Sequence, residues 1–117
     1  MPLIQLDTSC DLSNSEKRKA IASELSKLAA ECIGKPEKYV MASVSDNVVM
    51  TMSGTHNPAA LVSVKSIGGL NKNVNQKLTA DICKMLQQEL GIAGDCIYLT
   101  FEELPAANWG WNGNTFG

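Results

Sequence analysis

Apolar and polar positions along this chain follow two periods, and each change of period marks an element. Leu3, Ile4 and Leu6 open with an apolar run that predicts a strand over Leu3–Asp7. Ser13 and Glu16 have the spacing of a capping box. They precede a helical pattern in which Ile21, Leu25, Leu28 and Cys32 share one face. Gly34 stops that helix, and Pro36 prevents its resumption. Tyr39–Val44 reads as a second strand, Asp46-Asn47 as a turn, and Val48–Met52 as a third, short strand. After a Gly54-to-Pro58 loop the pattern restarts with a strand over Ala60–Ile67 and a Gly68-Gly69 turn. A second helix of about 18 residues follows, with Val74, Leu78, Ile82, Met85, Leu86 and Leu90 inward. Gly91 closes it, and Cys96–Phe101 is the next strand.

The two halves keep register at a constant offset of 57 positions, pairing Ile21 with Leu78, Leu25 with Ile82, Leu28 with Met85 and Gly34 with Gly91. Val40 and Val44 likewise match Ile97 and Phe101 in the strands that follow. Core positions and a helix stop that repeat together predict a duplicated β-α-β unit. The expected fold is α/β (α+β): a four-stranded sheet plus short strands, with both helices on one face because such crossovers are right-handed. Apolar residues of both parities, Val40, Ala42 and Val44 against Tyr39 and Met41, and Ile97, Leu99 and Phe101 against Tyr98, leave a second face to cover. Burying each large side chain fully is worth about 1.5–3 kcal/mol, which favours an oligomer closed around the sheets.

Composition narrows the function classes. At 117 residues with 44% apolar content, the chain is expected to form a single domain over residues 1–117. A net charge of −2, with no stripe of Lys and Arg, argues against a nucleic-acid partner. No apolar run approaches membrane-spanning length and no signal-type segment opens the chain. A cytoplasmic protein is expected, or one exported without a signal peptide. The four cysteines, Cys10, Cys32, Cys83 and Cys96, form no C-x-x-C and read as small hydrophobes. With His56 as the only histidine there is no metal-ligand cluster and no Ser-His-Asp set.

Chemistry enters at Met1-Pro2. Removal of Met1, favoured by the small residue behind it, leaves a secondary amine on a rigid ring at the start of a strand. A terminal amine has an ordinary pKa of about 8, and burial or a nearby cation lowers it. That makes Pro2 a candidate base near neutral pH.

Four segments together carry a family resemblance: Met1-Pro2, Gly34-Lys35-Pro36 followed by Tyr39, Ser66-Ile67-Gly68, and the ending Asn108-Trp109-Gly110-Trp111-Asn112-Gly113-Asn114-Thr115-Phe116. Over essentially its whole length the chain resembles the macrophage migration inhibitory factor (MIF) family of the tautomerase superfamily. The resemblance implies a β-α-β repeat assembled as a homotrimer, with phenylpyruvate tautomerase and dopachrome isomerase activity and no cofactor or metal. It implies Pro2 as catalytic base and Lys35 beside it as partner of the substrate's acidic group. Ile67 would line the pocket, Tyr98 and Thr100 would enter from the neighbouring subunit, and Trp109 and Phe116 would wall the mouth. Trp111 is assigned to packing. The substrate would be a small aromatic α-keto acid or its enol.

The chain departs from the family pattern at three places. Ala59-Ala60-Leu61-Val62 stands where vertebrate members have C-x-x-C, so thiol oxidoreductase activity is unsupported. Thr100 replaces a pocket asparagine with a shorter hydroxyl donor, which bears on substrate preference. Ser9-Cys10-Asp11-Leu12 lacks the arginine linked to receptor binding, so a receptor partner is unsupported. The competing reading is a cytokine-like trimeric binding module with a vestigial pocket. A dehalogenase or decarboxylase would need pocket arginines, and Arg18 is the only arginine.

Overall fold

The two halves of the chain fold alike, element by element. A computed structural model describes residues 1–117. It gives strand β1 (Pro2–Thr8), helix α1 (Ser15–Ile33) and strand β2 (Met41–Ser45), then strand β3 (Ala60–Ser66), helix α2 (Lys72–Leu90) and strand β4 (Ile97–Glu103). Helix α2 begins 57 positions after α1 and has the same 19 residues. The caps repeat at the same offset, Asn14 and Asn71 at the N-termini and Gly34 and Gly91 at the C-termini. So do the single 3-10 turns that lead into the outer strands, Glu37–Tyr39 and Gly94–Cys96. Both terminal glycines are left-handed, with φ of 75° and 68°, a conformation that costs glycine little and a side chain more.

The sheet order is β2-β1-β3-β4. Each β-α-β unit contributes one parallel pair, β1 with β2 and β3 with β4. The units meet at an antiparallel seam in which Pro2 faces Ser66 and Thr8 faces Ala60. One parity of the strands, Ile4, Leu6, Val62 and Val64, packs with Leu25, Leu78, Ile82 and Leu86 from the helices into one core. The expected duplicated α/β fold is therefore present, with both helices on one face. The further short strands are β5 (Gly110–Trp111) and β6 (Asn114–Thr115), a hairpin in the tail. Asn112 and Gly113 turn it with φ of 51° and 82°, as a two-residue hairpin turn requires.

Several boundaries differ from the sequence expectation. Asn14, not Ser13, caps α1: its Oδ1 accepts from the Glu16 and Lys17 amides at 2.9 and 3.4 Å. Ser13 instead adopts a φ of 27°, its amide donating to Asp11 Oδ1. The second strand starts at Met41, because Pro36 leads into a 3-10 turn that takes up Tyr39. Cys96 belongs to the matching turn before β4. Val48–Met52 forms no strand: the Val48 amide donates to the Thr8 carbonyl at 3.0 Å and Met52 makes an isolated bridge to Thr55, but no ladder joins them. The sheet face away from the helices is also less apolar than expected. Leu61, Met41 and Tyr98 are exposed there, but Ser43, Gln5, Ser63 and Thr100 form a polar row straight across all four strands.

The only arginine has a structural task. Arg18 Nε lies 3.1 Å from Asp46 Oδ1, and Asp46 Oδ2 accepts from the Leu12 amide at 2.9 Å. The Leu12 hydrogen bond, with Arg18 beside it, holds the Asp46 carboxyl below its ordinary pKa. The thiols of Cys32, Cys83 and Cys96 are pushed up by burial, consistent with cysteines that pack rather than react.

The capping assignment is open to test by urea unfolding. Asn14→Ala is expected to cost about 0.5–2 kcal/mol through two unsatisfied amides. Ser13→Ala is expected to change stability by less than about 0.5 kcal/mol.

Candidate active site

The site forms where the chain's first residues meet the start of β2 and the returning tail. Because β2 runs parallel to β1 with Leu3 beside Met41, the residues just before Met41 lie alongside Pro2 and Met1. The tail's 3-10 turn, Ala106–Asn108, carries the chain to Trp109, whose carbonyl accepts from the Phe116 amide at 3.2 Å. That bond folds the hairpin back on itself. The result is a cavity of about 610 Å³ with Pro2 and Leu3 on one side, Tyr39 and Met41 on another, and Trp109 and Trp111 closing it.

An aromatic cluster gives the wall its shape. Trp111 meets Tyr39 edge-on, with centroids 6.4 Å apart at 83°. Phe116 stacks on the other side of Trp111 at 5.8 Å and 12°. Both are geometries that aromatic quadrupoles favour. Pro2 itself is fully buried, its ring on the helix side of the sheet opposite Ser66. Ser66 is fully buried too, and its hydroxyl donates to the Gly68 carbonyl at 2.7 Å. This bond holds the turn that carries Ile67 just beyond the residue facing Pro2.

The charge environment favours a neutral amine. The N-terminal ammonium, here on Met1, lies below its ordinary pKa of about 8, chiefly through burial and secondarily through the positive charge of Lys35. Lys35 reaches this position because Gly69 has no side chain. A methyl group at Gly69 would stand 3.2 Å from Lys35 Cε and 2.8 Å from Ile33 Cγ2. Removing Met1 moves the amine one residue inward along β1, about 3.4 Å, to the buried Pro2.

Of the residues expected at the site, Pro2 and Trp109 line the cavity together. Lys35 acts from beside it, and Phe116 from behind Trp111. Ile67 is half-buried past the end of β3 and does not line it. Tyr98 and Thr100 are not brought to Pro2 within one chain. Tyr98 pairs with Leu61, which faces Asp7, so it sits at the opposite end of β1 from Pro2 and on the opposite face. Trp111, expected only in packing, lines the cavity, as do Lys38, Tyr39 and Met41. The Asn112-Gly113 pair was a usable signal for Trp111, since it predicts the hairpin that returns it. Nothing in local sequence predicts Lys38.

Fold and site together define a two-repeat β-α-β protein that presents its Met1-Pro2 end to an aromatic cavity. Comparison with known proteins identifies the group. The family described as macrophage migration inhibitory factor (MIF) matches residues 1–117. Mouse macrophage migration inhibitory factor is 34% identical over 116 residues, covering 99% of each chain. A solved macrophage migration inhibitory factor homologue from Prochlorococcus marinus is 44% identical. It superposes with a TM-score of 0.91 over 98% of this chain and 99% of that one. A macrophage migration inhibitory factor-like protein from Entamoeba histolytica is 37% identical, with a TM-score of 0.92 over 98% of each. The chain belongs to the MIF family, within the tautomerase superfamily.

Gly69 offers a test of how Lys35 is held. Gly69→Ala places a side chain at a φ of 82° and against Ile33, and is expected to cost about 1–3 kcal/mol in denaturant unfolding. By displacing Lys35 it is also expected to raise the N-terminal amine's midpoint part of the way back towards about 8, burial remaining. An unmoved midpoint in the folded variant would mean that Lys35 is held by something other than this gap.

Proposed function

We propose that this protein is a cofactor-free keto–enol tautomerase acting on phenylpyruvate-like aromatic acids, with the Pro2 amine as general base once Met1 is removed. The observation that carries this reading is the placement of the chain's amino end. It lies at an aromatic cavity, where burial and Lys35 both favour the unprotonated amine.

In the keto-to-enol direction, the Pro2 nitrogen takes a proton from the carbon next to the carbonyl. The C–H electron pair becomes the C=C bond, and the carbonyl oxygen takes up negative charge and is protonated through solvent, to which the Pro2 ammonium gives up its proton. Lys35 pairs with the substrate carboxylate, and the walls of Tyr39, Trp109 and Trp111 hold the ring. A positioned base contributes typically about 10²–10⁴-fold, and donors to the forming enolate add more.

The site is completed in a homotrimer, in which a neighbour supplies Tyr98 and Thr100. Two features support a ring. Apart from Val49, the exposed large apolar residues fall into unlike groups, Tyr39, Met41, Trp111 and Phe116 at one end of the sheet, and Leu61 and Tyr98 at the other. Unlike patches suit head-to-tail contacts that close by rotation, whereas an isologous dimer uses one patch twice. In addition, β2 and β4 are both unpaired edges, which other copies can cover.

The test pairs intact mass with a phenylpyruvate assay. Processed protein starting at Pro2 is expected to turn over substrate with kcat/KM rising with pH through a midpoint below about 8, then levelling, because the neutral amine is the active form. An alanine inserted between Met1 and Pro2 makes the proline nitrogen an amide and moves the terminal amine about 3.4 Å outward. Activity should vanish while the oligomer persists. Full activity in that variant, shown by mass to begin upstream of Pro2, would remove Pro2 as the base and leave a trimeric binding module.

A further inference from the structure

The cation that lines the cavity is not Lys35 but Lys38. It sits in the Glu37–Tyr39 turn that leads into β2, with Nζ 5.0 Å from the centre of the Tyr39 ring. Its charge has no carboxylate partner, for none of the four ion pairs in the chain includes it. The adjacent acid is turned away: Glu37 Oε2 accepts from Ser26 Oγ on α1 at 3.0 Å. Lys35 approaches from another side, along Gly69 and Ile33. One ammonium group therefore acts on the amino terminus, and a second lines the aromatic cavity over the Tyr39 ring.

We propose that Lys38 is a specificity residue selecting aryl acids that carry a second anionic group on the ring, remote from the keto-acid end. The proposal rests on the tautomerase reading for which end of the ligand faces Pro2. A ligand with one carboxylate engages one of the two cations. A ring bearing a distal carboxylate, sulfonate or phosphate engages both, its face held against Tyr39 and Trp111. Lys38 is exposed, so its contribution is modest and sensitive to salt. Its ammonium lies over the face of Tyr39, within the range of a cation–π contact.

Quenching of tryptophan fluorescence by inert acids tests this without turnover, with phenylacetate and 4-carboxyphenylacetate as probes. Wild type is expected to bind the dianion about two- to fivefold more tightly, with the preference shrinking as salt is raised. In Lys38→Gln the ratio should fall to near one, and in Lys38→Glu below one. Lys27→Gln, a charge control on the exposed face of α1, should keep the wild-type ratio. No preference in wild type, or an undiminished one in Lys38→Gln, overturns the proposal. Running processed protein on phenylpyruvate and 4-carboxyphenylpyruvate separates the two readings. If neither is turned over but the binding ratio behaves as stated, the tautomerase reading fails and the aryl-dianion site stands.

Discussion

The antiparallel seam between β1 and β3 is the constraint on which the rest of this molecule depends. It joins two β-α-β units that would each leave half a core exposed. Its register also decides which residue stands opposite the first proline. With Pro2 facing Ser66, the amino end is buried at the rim of the sheet beside the turn that carries Ile67 and Gly69. A slip of one residue would turn Pro2, Ile4 and Leu6 onto the open face and empty the core of its central strand. Folding and placement of the amine are thus one event.

On the proposed tautomerase reading, that coupling lets a short chain build a base without a histidine. The amine comes with the chain terminus, and strand pairing fixes its position. Burial and Lys35 then lower its proton affinity. Glycine at position 69 matters for the same reason, because the missing side chain is the room that Lys35 uses. The aromatic wall is added by two segments far apart in sequence, the 3-10 turn before β2 and the terminal hairpin.

Much of the fold was legible because its signals are local and repeat. The helical period and the glycine stops recur at one offset, and the structure reproduces that offset in helices, caps and turns. Misreadings arose where a residue's state depends on partners. Val48–Met52 has strand-forming side chains but finds no ladder within the chain. Ser13 and Asn14 are both good capping residues, and backbone geometry selects the second. At the site, Pro2 and Trp109 were identifiable from motif resemblance. Lys38 and Tyr39 reach the cavity through the parallel pairing of β2 with β1, which local pattern does not show, whereas Trp111 returns through the tail hairpin that the Asn112-Gly113 pair signals. Tyr98 lies towards the far end of the sheet and Thr100 in its middle row, both on the face away from the Pro2 ring, where one chain alone does not bring them to Pro2.

The central claim is that the fold delivers a neutral secondary amine at Pro2 near physiological pH. Its most direct test is a titration of that nitrogen by NMR in protein labelled with ¹⁵N-proline and shown by mass to lack Met1. The midpoint is expected clearly below the ordinary value of about 8, moving upward when Lys35 is replaced by Gln. A midpoint at or above about 8, unaffected by that substitution, would contradict it.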